Sequence, residues 1–487
     1  MTADDTHGWN TLIEALEERT SKAQAMGGDE RLAKQAAKGR LDARERIGRL
    51  CDSGSFVEYG ALAGGAHPAG NAAVPADALV GGIGRIGGRP SVVVAEDFTV
   101  QGGSIGHANS AKRLRMANLA LTEDTPFVIL LDGAGERATN ALERYPYAPT
   151  DLQTLADLRG RVPIISMVLG TSAGHGALSG LFADLIIATE GASMFAAGPP
   201  LVKAALGLDV SPDELGGARM HATESGVVHN LAATEDEAFL LARRYLSFFA
   251  GPTRANDDRQ RRLDDVLKIV PADTRRAYDI RELIAEVVDR DSVCELQPLF
   301  GESIVTALAL LDGRPVMIVA NQPLHAAGAI TREAAEKAAH FLEVAGNFDL
   351  PVVFLADNPG VMPGPDAERA GTLRAAAQMY TAQRRLQGPK LHVTVRKAFG
   401  FGSSLMAMNP LDHQAVTIAF PGISLGGVPA AGGADASNAD EAERARMLAL
   451  QSGAWSAADN GSYDRVIDPR DLRIELINAL ALRASQP

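Results

Sequence analysis

The sequence predicts an α/β protein built as two tandem copies of one domain, and three observations carry that reading. Short apolar runs of buried-strand type alternate with helical stretches. Two of these runs end in glycine-dense turns, Gly170–Gly180 and Arg396–Ser404. Landmarks around the first turn recur around the second, 225 or 226 residues later: Gly88-Arg-Pro90 as Gly313-Arg-Pro315, Leu131-Asp132 as Ala356-Asp357, Pro163 as Pro389 and Gly174 as Gly400. Four landmarks in one register make a domain duplication the expectation. The domains are placed at 1–255, with a helical extension over 1–60, and at 256–487.

Taken in order, Thr11–Ala37 is charged and alanine-rich and predicts one or two exposed helices closed near Gly39. Lys38–Leu50 predicts a further helix with Leu41, Ile47 and Leu50 inward. Gly60–Ala78 reads as a loop. Leu79–Ile86, a Gly87-Gly88 turn and Ser91–Ala95 then form a hairpin. A loop over Asp97–Gly106 leads to a helix at Ala108–Thr122, a strand at Pro126–Leu131 and a helix near Thr150–Leu158. The strand Pro163–Leu169 feeds the first glycine turn, and Asp184–Ala188 follows as another strand. A helix over Asp236–Phe249 closes the first half. Gly251–Thr274, rich in charge, reads as a linker. The second half repeats the order and reaches its own turn after the strand Pro389–Val395.

The formal charge of −13 argues against nucleic acid or an anionic membrane as partner, since both reward basic surfaces. Cys51 and Cys294, without CxxC spacing, fit neither a zinc ribbon nor a disulfide framework. With no signal-like N-terminus and no apolar run near the ~20 residues that span a bilayer, the expected location is the cytoplasm.

A glycine-dense turn between a strand and a short helix leaves backbone N–H groups unpaired, suited to a phosphate or to an oxyanion formed during reaction. Side chains of obvious catalytic power are scarce nearby. Ser172 and His175 share the first turn, but no G-x-S-x-G elbow is present and no carboxylate close in sequence orients the histidine. The His175 backbone N–H, or simple packing of its ring, is preferred over a base. Lys397 is read as solvated or phosphate-facing, not as a Schiff-base residue. No P-loop, HExxH or metal-spaced carboxylate set occurs, so no metal site is expected. Electrostatic catalysis by backbone donors remains, and an acyl thioester losing its α-proton to form an enolate suits it.

Phe98–Gly106, Glu214–His221, Asn321-Gln-Pro323, Asp357–Gly364 and Arg396–Gly400 resemble the carboxyltransferase (β) subunits of biotin-dependent acyl-CoA carboxylases, propionyl-CoA carboxylase-like. The similarity runs in one order from about Gly39 to about Pro429. It implies two crotonase-like domains and a homo-oligomer, usually a hexamer, with sites shared between subunits. It implies transfer of CO2 from carboxybiotin, on a separate carrier working with a biotin carboxylase, to the α-carbon of an acetyl-, propionyl- or longer acyl-CoA. By match, the backbone donors are Gly174 and His175 for the thioester oxygen, and Phe401 and Gly402 for the biotin ureido oxygen. Ala134, Gly135, Ala173, Ser403 and Ser404 fall on the substrate side, and Gly400, Asn358 and Gly360 on the biotin side. Decarboxylated biotin would take the α-proton, which explains the missing side-chain base.

The chain departs from the family's usual pattern at His175, where Gly is usual, at Phe401-Gly402 in place of Gly-Ala, and at Ser403-Ser404 in place of Tyr-Asp. The last pair helps shape the acyl pocket in the family. No Met-Lys-Met biotinylation site occurs, so the resemblance places the carrier on another chain. Three other readings stay open: a biotin-dependent decarboxylase of a carboxyacyl-CoA, a non-catalytic assembly subunit, and a crotonase-type hydratase or isomerase. The last needs a glutamate over the first turn, and Glu190 is the nearest downstream.

Overall fold

The computed structural model describes residues 3–64, 74–137, 150–255, 257–410 and 412–484. Part of the Gly60–Ala78 loop, residues 65–73, lies outside the described residues. The chain divides into two compact units, Met1–Ser247 and Phe248–Pro487.

The first unit begins with helices α1 (Ala3–Gln24), α2 (Asp29–Ala36) and α3 (Ala43–Leu50). Helix α3 starts at 43, not 38, because Asp42 closes a capping box with Glu45; Ile47 and Leu50 are buried as expected, while Leu41 is half-buried. Then come β1 (Val57–Glu58), the hairpin β2 (Leu79–Ile86) and β3 (Arg89–Glu96), α4 (His107–Glu123), β4 (Phe127–Gly133), α5 (Leu152–Leu158), β5 (Ile164–Ala173), α6 (Gly174–Gly180), β6 (Leu185–Thr189), β7 (Ser193–Phe195), β8 (Asn230–Ala232) and α7 (Glu235–Ser247). The sheet order is β1-β2-β3-β4-β5-β6-β8, with β7 beside the end of β5. The hairpin is antiparallel and the strands from β3 onward pair in parallel. β4 and β6 are buried throughout, as a sheet covered on both faces requires.

The second unit repeats this plan with α8 (Ile280–Val287), β9 (Cys294–Leu296), β10 (Ile304–Leu311), β11 (Arg314–Asn321), α9 (Arg332–Asn347), β12 (Val352–Asn358), α10 (Thr372–Arg384), β13 (Lys390–Phe399), α11 (Gly400–Leu405), β14 (Gln414–Ala419), β15 (Ser424–Gly426), β16 (Arg465–Val466) and α12 (Leu472–Ala484). Its sheet order is β16-β14-β13-β12-β11-β10-β9, with β15 beside β13.

The repeat extends into the hydrogen bonding. Gly87 and Gly88 turn the first hairpin with φ +57° and +80°, and Asp312 and Gly313 turn the second with +54° and +73°. The Asp52 carboxylate accepts from both N–H groups of the first turn, at 3.1 and 2.7 Å. Asp289 accepts from both of the second, at 3.0 and 2.8 Å. An arginine from the closing helix holds each aspartate: Arg243 at 3.0 Å from Asp52, Arg473 at 2.6 Å from Asp289. Helices α3 and α8 likewise present Arg44 and Arg281 to Glu58 and Glu295. The repeated unit therefore starts at α3, upstream of the hairpin where the sequence register becomes visible.

One expectation is corrected. The stretch read as a linker, Gly251–Thr274, is packed: Leu263 and Val266 are fully buried in the second unit's core. Its charges are spent locally, Arg261 on Asp257 at 2.8 Å and on the carbonyl of Val288 at 3.0 Å. A run dense in charge reads as solvated only until the partners are known.

Candidate active site

Both glycine turns have one backbone shape. β5 ends in extended Ala173 (φ −132°, ψ 149°), and Gly174 then turns left-handed at φ +54° to open α6. β13 ends in extended Phe399 (φ −120°, ψ 144°), and Gly400 follows at φ +56° to open α11. An L side chain is strained at that φ, so glycine is required at both places. The start of each helix leaves N–H groups without intrahelical acceptors. Matching Gly174 to Gly400 sets His175 opposite Phe401 and Gly176 opposite Gly402. The donor pairs taken from the resemblance are therefore one position out of step with each other.

Around the first turn the structure gathers Ala134, Gly135 and Ala173. A Cβ on Gly135 would lie 2.7 Å from the Ala173 carbonyl oxygen. Ala134 N–H donates to the Gly102 carbonyl at 2.9 Å. Around the second, a Cβ on Gly402 would lie 2.6 Å from Asn358 Oδ1 and 2.9 Å from Gly360 Cα. Asn358 is fully buried; its Oδ1 accepts from Gly360 N–H and its Nδ2 donates to Asn321 Oδ1, each at 3.1 Å. With both amide groups spent inside the unit, Asn358 shapes the turn and offers no polar atom outward. Ser403 Oγ donates back to the Gly400 carbonyl at 2.6 Å. Ser404, half-buried, lines an apolar cavity of about 530 Å³ with Leu373, Ala376, Tyr380, Phe401 and Leu405.

The side chains beneath the first turn were not legible in the sequence. His175 Nε2 lies 2.6 Å from Asp151 Oδ1, so an aspartate 24 residues upstream does orient the ring. Arg113 Nη1 faces Asp151 at 3.7 Å, and the same guanidinium pairs with buried Glu96. Glu96 also accepts from Asp132 N–H at 2.8 Å, and Asp132 pairs with Arg46 at 2.9 Å. Burial pushes Glu96 above the ordinary glutamate range, against the pull of Arg113. Burial also works to raise Asp151, but the His175 hydrogen bond and the Arg113 charge outweigh it and hold the carboxyl below its ordinary value. In the second unit, buried Asp357 is paired with Arg396 at 2.7 Å and Lys397 at 3.6 Å. Lys397, expected to be solvated or phosphate-facing, is instead drawn in by this buried charge.

The glutamate over the first turn is also different from the one the sequence suggested. Glu190 is on an exposed ion pair with Arg219. Glu96 Oε1 lies 3.0 Å from where a Gly176 Cβ would sit, and both Glu96 oxygens are engaged. No free carboxylate is presented at this turn among the described residues.

A third feature looked like ordinary solvated helix charge. Arg31, Lys34 and Lys38, with Gln101 and Gly102, line a cavity of about 320 Å³. Through the Gly102–Ala134 hydrogen bond this basic cavity adjoins the first turn. Among the described residues there is no group of three side chains suited to a metal ion, and no helix long and apolar enough to cross a membrane.

Residues 34–487 match the family described as the carboxyl transferase domain. The chain is 35% identical over 498 residues to the methylmalonyl-CoA carboxyltransferase 12S subunit of Propionibacterium freudenreichii subsp. shermanii, covering 97% of this chain and 94% of that one. It is 33% identical over 502 residues to the propionyl-CoA carboxylase carboxyltransferase subunit of Haloferax mediterranei, covering 98% and 97%. Its fold is similar to a crystal structure of transcarboxylase 12S, described as a hexamer assembly with methylmalonyl-coenzyme A and methylmalonic acid bound. The TM-score is 0.91 at 35% identity, covering 98% of this chain and 96% of that one.

Proposed function

The chain belongs to the carboxyl transferase family, and from that premise we propose how its two turns divide one reaction. It is a carboxyltransferase subunit of the biotin-dependent acyl-CoA carboxylase type, with two crotonase-like domains. The first turn takes the acyl thioester. The N–H groups of Gly174 and His175 stabilise the oxygen on which charge collects as the α-carbon becomes an enolate, and a single such donor contributes about 2.7–4 kcal/mol to a barrier. Arg31, Lys34 and Lys38 neutralise the phosphates of coenzyme A; that Ser404 also serves the acyl group is what the resemblance implies.

The second turn fits a ureido oxygen: it is a glycine cradle held open by Asn358 and Gly360, with the N–H groups of Phe401 and Gly402 at the helix start. Carboxybiotin, brought on a separate carrier chain, supplies both the CO2 and the base for the α-proton. The carrying observation is the pair of like-shaped turns, φ +54° and +56°, the first beside the carboxylates of Glu96 and Asp151, which are both engaged. We place the protein in the cytoplasm, where the thiols of Cys51 and Cys294 stay reduced, and expect the hexamer described for the 12S relative.

The test is reconstitution with a biotin carboxylase and a biotinylated carrier, following labelled bicarbonate into acetyl-, propionyl-, butyryl- and octanoyl-CoA. Label in at least one carboxyacyl-CoA is expected. If label reaches the carrier and never an acyl-CoA, while methylmalonyl-CoA carboxylates the carrier, the decarboxylating direction replaces this one.

A further inference from the structure

Asp151 has no part in the reaction as proposed, yet it is held more firmly than a helix-start aspartate needs. The Asp151 side chain is 3% exposed and its Oδ1 accepts from His175 Nε2 at 2.6 Å. Arg113 faces it at 3.7 Å. That arginine is fixed in turn by Glu96 and by Asn109 Oδ1, 2.9 Å from Nε. Asn109 is anchored on Asp77 through its own N–H at 2.7 Å. The carboxylate is thus buried and faces a braced arginine across 3.7 Å.

The second unit shows what the turn does without such a partner. Phe401 occupies the position of His175 on the same backbone, and that residue is 54% exposed. His175 is half-buried, and its ring is turned in against Asp151. The backbone shape common to both turns therefore does not turn the side chain inward; the hydrogen bond to Asp151 accounts for the difference.

We propose that Asp151 is a positioning residue that holds the His175 imidazole withdrawn beneath the first turn, so that the backbone N–H of His175, and not its ring, meets the acyl thioester. This rests on assigning the first turn to the thioester. Two consequences follow from the chemistry. A released ring would occupy the mouth of the turn and compete with the acyl group for space. It would also bring a proton donor beside the enolate, whose α-carbon it could reprotonate before CO2 arrives. Asp151 stays ionised through the neutral range, so the ring's Nε2–H has a charged acceptor there.

The experiment uses the full chain as wild type, Asp151→Asn, His175→Ala and the double variant. Two readouts are taken. Modification of His175 by diethyl pyrocarbonate, located by peptide mass spectrometry, reports whether the ring is withdrawn without reference to any activity. Steady-state kinetics with the reconstituted carrier report the consequence. Losing a charged hydrogen-bond partner should release the ring by roughly tenfold or more, so His175 is modified ~10-fold faster in Asp151→Asn than in wild type. The acyl-CoA KM should rise more than kcat falls, and more for octanoyl- than for acetyl-CoA. In the His175→Ala background the Asp151→Asn change should have no further kinetic effect, because there is no ring left to hold.

Equal His175 modification in wild type and Asp151→Asn overturns the proposal. So does an Asp151→Asn defect that persists undiminished in the double variant, which would make Asp151 a structural residue alone. A wild type that carboxylates no acyl-CoA removes the thioester assignment, while the modification rates still decide whether Asp151 withdraws the ring.

Discussion

After Gly174 the first unit places a histidine over a chain of buried charges, Asp151, Arg113, Glu96, Asp132 and Arg46. After Gly400 the second unit places an exposed phenylalanine, and the position matching Glu96 is Asn321, which serves the Asp357 N–H and the Asn358 amide. Both copies keep a buried aspartate–arginine pair, Asp132 with Arg46 and Asp357 with Arg396, but where Glu96 extends the ionic pairing in the first copy, Asn321 makes amide hydrogen bonds in the second. Duplication preserved the backbone of the turn. It left the supporting side chains free to diverge.

The largest effect expected from this comparison is at the glycines. Gly402→Ala places its Cβ against Asn358 Oδ1 and the Gly360 backbone, so the second turn must move. Gly176→Ala, at the matching place, meets Glu96 Oε1 at 3.0 Å, a smaller overlap than the 2.6 and 2.9 Å at Gly402. Loss of kcat by ~100-fold or more is expected for Gly402→Ala, and a distinctly smaller loss for Gly176→Ala. Equal losses in single-turnover assays would mean that the two turns are equally tolerant and the comparison fails.

Next in size is the charge chain itself. Arg113→Leu leaves Glu96 and Asp151 buried without their cation and should destabilise the protein by ~3–5 kcal/mol. Asn321→Ala, which removes one neutral acceptor and the Nδ2 donor to the Gly328 carbonyl, should cost about 1–3 kcal/mol. Denaturant unfolding of both variants ranks them, and the reverse order would show that the ionic support is the weaker of the two.

A pair of buried lysines sharpens the comparison further. Lys112 and Lys337 occupy matching positions on α4 and α9 and donate to backbone carbonyls, Ala76 at 3.1 Å and Gln297 at 3.2 Å. Burial pulls Lys337 down from 10.5 to about 7, and Lys112 to about 8. Between pH 7 and about 10.5 the unfolded chain holds the proton at Lys337 more tightly than the folded one, so this group adds stability as pH rises. The stability of wild type relative to Lys337→Met should climb by ~2 kcal/mol or more across that window. A difference that stays level from neutral to alkaline pH would place an ordinary charged lysine in the core.

The smallest effect concerns the cavity beside Ser404, proposed above to serve the acyl group. Ser404→Asp adds a carboxylate beside Leu373, Tyr380 and Phe401. Desolvating it should cost long acyl chains more than short ones, about tenfold in kcat/KM for octanoyl- relative to propionyl-CoA. An equal loss at every chain length would remove Ser404 from the pocket.

Order of elements, duplication, both turns and the family were legible because they depend on local chemistry. Apolar runs of strand length, paired glycines at hairpin tips and glycine at a left-handed position each leave a mark within a few residues. The register of 225 residues carried that local pattern from one half to the other. Partners were not legible. Asp151 meets His175, Arg46 meets Asp132, and Lys397 turns toward Asp357 only once the strands are laid side by side. Arg31, Lys34 and Lys38 are exposed, as helix charges were expected to be, but only the fold sets them on one open cavity with Gln101 and Gly102. The stretch after Gly251 looked like a linker for the same reason, since its charges are answered by carbonyls at Glu286 and Val288. Backbone conformation is set largely by each residue and its neighbours, and so the turns could be read along the chain. Electrostatic pairing is set by distance in space, and which charge answers which follows from the fold.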